Sequence, residues 1–311
     1  MRYFAGIDLG GTSAKLGLVD GEGNILKQAT VRINAQAQFV EIMAPIARRL
    51  KELNQTAGGG LTAIGIGTPG FIDSRSGLLL GGAENIPALK GNSLVSFLSD
   101  EFKVPVSADN DATCAAAGEL KFGIGRNYAN FVLITLGTGI GGGLVLNGRV
   151  FRGSRGFAGE IGHLCLDPDG LWCNCGSRGC FEQYASAPAM IRNYREKRQK
   201  RGQVTANNFN APELFKAARQ GDPCAETVIQ DAACAIARVL GILINLLNIE
   251  ACIIGGGVSR AGGQLLNPVI NYLDDFTWPL MRKDVALHIA QLQNDAGLLG
   301  AAAQALERVS P

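Results

Sequence analysis

Phe4-Ala-Gly-Ile-Asp8-Leu-Gly-Gly-Thr12 reads as a short apolar strand that ends in a glycine turn. Leu16 to Val19 forms a second strand, Asp20-Gly-Glu-Gly23 turns, and Ile25 to Ile33 makes a third. Phe131-Val-Leu-Ile-Thr135-Leu-Gly-Thr-Gly139 repeats that grammar about 125 positions later. Gly143 to Leu146, a turn at Asn147-Gly148 and Arg149 to Arg152 follow it. Two such units predict an internal duplication. Hairpins with glycine turns are also common on their own, so the repeat needs support from chemistry.

Around these units helices and strands alternate, the mark of an α/β protein. Gln38 to Gln55 is amphipathic, with Phe39, Ile42, Met43, Ile46, Ala47 and Leu50 on one face. Leu61 to Gly67 and Val104 to Ala108 read as strands, and Ser93 to Phe102 and Ala112 to Phe122 as helices. Later helices are expected near 187–201, 211–220 and 224–247, a strand at Ala251–Ile254, and a last helix from Gly297 to about Arg308.

At 311 residues the chain is long enough for two domains with real cores. A hydrophobic fraction of 47% and a charged fraction of 18% exclude disorder and membrane embedding as the general state. A net charge of +2 carries no nucleic-acid footprint. The segment from Met1 to Gly6 runs into a strand without the parts of a targeting signal. The longest apolar run, Val239 to Leu247, is about half a membrane span. Of eight cysteines, Cys114, Cys165, Cys224, Cys234 and Cys252 are scattered among apolar or helical neighbours, as buried thiols of a reducing cytoplasm would be.

Three glycine turns follow strands: Gly10-Gly11-Thr12, Gly137-Thr138-Gly139 and Gly255-Gly256-Gly257. Glycine lets backbone amides approach an anion without a Cβ in the way, and threonine adds a donor, so together the turns suit a nucleoside triphosphate. Gly65-x-Gly67-x-x-Gly70 and Gly137-x-Gly139-x-x-Gly142 also match a dinucleotide fingerprint, but both lack the helix that must follow. Pro69 and then Asp73-Ser-Arg-Ser-Gly77 follow the first, and a strand follows the second. Asp8 beside the first turn suits a magnesium ion, or only stabilises the turn. Lys15 reaches a phosphate, or is solvated.

Asp109-Asn110-Asp111 closes one strand and opens the helix at Ala112. An aspartate there can be a base for a hydroxyl or a helix N-cap, and local sequence leaves both open. Farther on, His163, Cys173, Cys175 and Cys180 supply the four ligands of a tetrahedral structural zinc site. Glu160 and Glu182 bracket that cluster, and six glycines from Gly156 to Gly179 make it a loop.

Asp8-Leu-Gly-Gly-Thr12, Asn110-Asp111, Thr135-Leu-Gly-Thr-Gly139, Gly159-Glu-Ile-Gly-His163, Cys173-x-Cys175-Gly-x-x-Gly-Cys180-x-Glu182 and Gly255-Gly-Gly257 occur in that order. In this the chain resembles the ROK family of bacterial sugar kinases and sugar-responsive repressors, from about Gly6 to the last helix. The resemblance implies an actin-like, ribonuclease-H-like duplicated α/β fold, two lobes with ATP and sugar in a central cleft. A small lobe of residues 1–108 plus 295–311 and a large lobe of 109–294 carrying the zinc loop are expected. The implied activity is ATP-dependent phosphorylation of a hexose at its primary hydroxyl, glucose first. Fructose, mannose, N-acetylglucosamine and N-acetylmannosamine are alternative substrates, and a non-catalytic sugar-binding regulator is the other class.

By the same resemblance Asp111 is the base, and Asn110, Glu160, His163 and Glu182 hold sugar hydroxyls, with Gly70 and Asn85 close to the sugar. Asp8, Gly10, Gly11, Thr12, Lys15, Gly137, Thr138, Gly139, Gly255, Gly256 and Gly257 form the nucleotide set, with magnesium at Asp8 and zinc purely structural. Repressors of the family add an N-terminal helix-turn-helix; this chain starts at the first strand and keeps the base and the turns, which favours an enzyme. A cytoplasmic homodimer without nucleic-acid or membrane partners completes the expectation.

Overall fold

In this computed structural model, which describes residues 2–73 and 76–309, Tyr3–Leu9 (β1) is buried on both faces. A strand so apolar needs neighbours on both edges and cover on both sides. Ser13–Val19 (β2) pairs with it antiparallel, Ile25–Arg32 (β3) pairs with β2, and Leu61–Thr68 (β4) lies parallel on its other edge. A small hairpin of Phe71–Ile72 (β5) and Leu79–Gly81 (β6) follows. The intervening turn read at Asp73 to Gly77 includes Ser74 and Arg75, which lie outside the described residues. Val106–Asn110 (β7), parallel to β4, completes the order β3-β2-β1-β4-β7.

Phe131–Leu136 (β8), Ile140–Leu146 (β9), Arg149–Phe151 (β10), Ala251–Gly255 (β11) and Ala286–Ile289 (β12) form a second sheet, ordered β10-β9-β8-β11-β12. Strand for strand it repeats the first: β10 pairs antiparallel with β9, β11 lies parallel to β8, and β12 parallel to β11. The duplication read from the two glycine-turn strands is present in full.

Phe39–Thr56 (α1) and Leu94–Phe102 (α2) cover one face of the first sheet, where Ile42, Ile46, Leu50, Leu94 and Leu98 join Ile7, Leu16 and Ile66 in the core. On the other face lies Ala296–Val309 (the last helix, α10), packed against Asp111–Phe122 (α3). Glycine allows the close approach: a Cβ on Gly65 would lie 1.8 Å from the Ala301 carbonyl oxygen, and one on Gly300 1.6 Å from that of Cys114.

Between these lie Glu182–Ala185 (α4), Ala187–Gln199 (α5), Ala211–Arg219 (α6), Pro223–Leu247 (α7), Gly263–Phe276 (α8) and Pro279–Arg282 (α9). α7 is long and apolar enough to cross a membrane, yet Val228, Ala232, Ile236, Val239 and Leu243 are buried in the protein core.

The chain divides into two compact units, Met1–Ala129 with Gly143–Gly159 and Gln291–Pro311, and Asn130–Gly142 with Glu160–Ala290. The first unit thus takes in α3 and β10, which the expected boundary after Ala108 gave to the other lobe. The α3–α10 contact through Gly118 and Gly300 is the reason.

Candidate active site

In the first unit β7 delivers Asp109-Asn110 to the start of α3, and the three polar residues divide the work. Asn110 is the N-cap: its Oδ1 accepts from the amides of Ala112 at 2.9 Å and Thr113 at 3.3 Å. Its Nδ2 donates to the Gly70 carbonyl at 3.4 Å. Asp109 is buried and saturated, receiving Arg152 Nε at 2.7 Å, Gln304 Nε2 at 3.0 Å and the Asn110 amide at 2.9 Å. Asp111 is the first helical residue, half-buried, and its Oδ1 accepts from the Ala112 amide at 2.8 Å. Capping therefore falls to asparagine, and the Asp111 carboxylate is available for chemistry.

Asp8, one residue from the end of β1, lies opposite Lys15 on β2. Its carboxylate faces the start of α10, where a Cβ on Gly297 would come within 2.8 Å of Asp8 Cγ. Burial first, and the Asp111 charge second, push the Asp8 pKa up to about 6 against the pull of Lys15. Burial also raises Asp111, opposed by its hydrogen bond from Ala112. Asp8 thus presents a desolvated carboxylate, the kind of oxygen ligand a hard divalent cation takes.

A test of that reading needs no substrate. A carboxyl raised from 3.8 to about 6 costs the metal-free fold stability as pH rises through that window. The full penalty, present above the folded pKa, is about 3 kcal/mol at most. Asp8→Asn is therefore expected to raise the melting temperature of the metal-free protein at pH 7–8, and the gain to vanish near pH 4. Melting curves across pH check this; no gain at neutral pH would mean the carboxylate is not strained.

The first glycine turn is closed by Gly10 N–H donating to the Ser13 carbonyl at 2.9 Å. Asn85 lies against it: a Cβ on Gly11 would be 2.9 Å from Asn85 Nδ2. Gly70 adopts φ +99°, which only glycine takes freely, and packs on the Gly81 carbonyl. So the first unit gathers Asp8, Gly10, Gly11, Thr12, Gly70, Asn85, Asn110 and Asp111. Lys15 is engaged elsewhere, with Asp295 at 2.5 Å and the Asn294 carbonyl at 3.0 Å. One residue was missed: Thr68 is fully buried opposite Asn110 in register, and its hydroxyl has no partner among the described residues. A lone hydroxyl ending an apolar strand was the available signal.

In the second unit the metal loop closes on itself. His163 Nδ1 lies 3.6 Å from Cys173 Sγ, Cys175 Sγ 3.5 Å from Cys180 Sγ, and all four donors are within 4.8 Å of one another. Tetrahedral zinc holds its sulfur ligands about 3.7 Å apart, so the cluster fits the ion. All eight cysteines are free thiols. Burial opposes ionisation of Cys175, but hydrogen bonds from the Ser177 backbone and the Cys180 thiol bring it down to about 7. Burial and the same thiol contacts push Cys180 up to about 12. His163 turns its Nε2 toward Glu160 Oε2, 3.8 Å away.

Glu182, two residues past Cys180, reaches the second glycine turn: its Oε2 accepts from the Ile140 amide at 2.8 Å. The third turn abuts the second. Gly256, at φ +80°, packs so closely that a Cβ would lie 2.4 Å from the Leu136 carbonyl. Hence Gly137–Gly139, Gly255–Gly257, Glu182 and the metal loop belong together. Both dinucleotide-like glycine patterns lead into strands, β5 and β9, which removes that reading.

Comparison with known proteins gives the family. A glucokinase of Halalkalibacterium halodurans is 37% identical over 310 residues, covering 96% of this chain and 93% of that one. A glucokinase of Thermotoga maritima is 37% identical, with 98% and 97% covered. The crystal structure of a ROK family glucokinase from Streptomyces griseus, in complex with glucose and AMPPNP, superposes with a TM-score of 0.85 at 33% identity, over 98% of this chain and 99% of that one. The two matching sheets are thus the duplicated actin-like α/β fold of these kinases. The pattern that defines the ROK family matches residues 4–308, from the first strand to the last helix, and the chain belongs to that family.

Proposed function

We infer that this chain is an ATP-dependent glucokinase, transferring the γ-phosphoryl group of ATP to the primary hydroxyl of glucose. Besides the full-length likeness to glucokinases, the observation that carries this reading is the relief of Asp111 from capping by Asn110. Asp111 would take the hydroxyl proton as the sugar oxygen bonds to phosphorus and the bond to the ADP oxygen breaks. Gly70, Asn85, Asn110, Glu160, His163 and Glu182 would hold sugar hydroxyls. Amides of the turns at Gly10–Thr12, Gly137–Gly139 and Gly255–Gly257 would receive phosphate oxygens. Asp8 fits magnesium, which would neutralise the charge developing on the phosphates. Zinc at His163, Cys173, Cys175 and Cys180 would order the loop without taking part in transfer.

Purified protein with magnesium and ATP is expected to release ADP on addition of glucose, with the highest kcat/KM among glucose, fructose, mannose, N-acetylglucosamine and N-acetylmannosamine. Another sugar leading the panel would move the specificity. Tight sugar binding without ADP release would make the chain a regulator. Light scattering on the same preparation tests the homodimer, and fractionation the cytoplasm.

A further inference from the structure

The phosphate turn of the second unit is gripped from both arms of the metal loop. On one side Glu182 Oε2 accepts the Ile140 amide at 2.8 Å, and a Cβ on Gly139 would lie 2.6 Å from the same oxygen. On the other, Gly162 lies so close that its Cβ would be 2.2 Å from the Ile140 carbonyl oxygen. Gly162 sits between Glu160 and His163 in the short turn Ile161–His163. Ile140 directly follows Gly137-Thr138-Gly139, so the exit of the turn is clamped. Its entrance is tied as well, by the Ala187 amide donating to the Gly137 carbonyl at 2.9 Å.

We propose that Glu182 couples sugar binding to nucleotide binding, one carboxylate oxygen holding the phosphate turn in shape while the other receives a sugar hydroxyl. This rests on the kinase reading above. A glycine turn loses much conformational entropy when it orders around a phosphate. A carboxylate already fixed by a sugar hydroxyl keeps its bond to Ile140 and pre-orders that turn, so the nucleotide meets a smaller cost. Coupling of this kind is reciprocal: whatever factor glucose adds to nucleotide affinity, the nucleotide adds to glucose affinity. Zinc held by Cys180 would act through the same path, since Cys180 lies two residues before Glu182. In this role Glu182 is a positioning residue for the nucleotide turn as well as a sugar ligand.

Calorimetric titration of the zinc-loaded protein with a non-hydrolysable ATP analogue and magnesium, with and without saturating glucose, tests it. Glucose is expected to tighten the analogue by roughly 5–150-fold in the wild type. Glu182→Ala is expected to weaken the analogue about 5-fold or more in the absence of any sugar, and to reduce the glucose effect to about twofold or less. Glu182→Gln keeps an oxygen for the Ile140 amide, so it should restore most of the sugar-free nucleotide affinity while glucose affinity stays reduced. Unchanged sugar-free nucleotide affinity in Glu182→Ala would reduce Glu182 to a sugar ligand and overturn the proposal. If the alanine variant loses zinc or folds poorly, amide exchange on the wild type decides: glucose alone should slow exchange at Ile140, and no slowing overturns the coupling. A wild type that binds neither glucose nor the analogue would instead overturn the kinase reading.

Discussion

Asp111→Asn is expected to lower kcat by about 10²–10⁴-fold, the range typical of losing a general base, with glucose affinity kept within about an order of magnitude. The structure makes this substitution clean. Asn110 already caps α3, so the change removes no cap. The amide at position 111 can still accept from Ala112, as Asp111 Oδ1 does at 2.8 Å. It relieves a carboxylate that burial raises in pKa, so the melting temperature should hold or increase. Asp109→Asn is the contrasting control. There Arg152 loses its charge partner, and the single remaining oxygen cannot serve all three donors, so about 1–3 kcal/mol of stability should go while kcat changes far less. Steady-state rates, a sugar titration and a melting curve on both variants check the pair. A fully active Asp111→Asn enzyme would leave the proposed mechanism without its base.

Cys175→Ser is expected to take zinc from about one per chain to near none, and to weaken glucose binding by about tenfold or more. Cys175 is exposed, so serine there disturbs little packing and the loss reports on the metal. Without the ion, His163 and three thiols no longer hold the segment that carries Glu160 and Glu182. Elemental analysis with a glucose titration measures both effects, and a strong chelator on the wild type should reproduce them reversibly. A variant free of zinc with unaltered glucose affinity would show that the metal does not organise the sugar ligands.

The duplicated strands were readable because a glycine turn after an apolar strand is a local signal, and so was the metal loop, whose ligands fall within eighteen positions. Other features were not. α8 carries Pro268 inside it and begins at Gly263 directly after Gly262, residue types that disfavour a helix, and β12 is only Ala286–Ile289, half-buried at a sheet edge. Sequence left Asp111 balanced between cap and base, because only the backbone shows which residue takes the cap. Lys15 looked free until the fold brought Asp295 to it, and Glu182 gave no sign of Ile140. Each of these depends on residues that meet only after folding.

The helix that covers Asp8 is made after every strand of the sheet it packs on. α10 packs on β1 and β4, elements from the opposite end of the chain, through backbone approaches that glycine alone permits. During synthesis, then, the first sheet emerges with one apolar face bare, and stays so until residues 296–309 leave the ribosome. A nascent or prematurely terminated chain would present that face, with Phe4, Val19 and Ala63 uncovered, to chaperones and proteases. Quality control of this protein is thereby written into its order of manufacture: a copy whose translation stops short of residues 296–309 lacks the wall behind the Asp8 carboxylate.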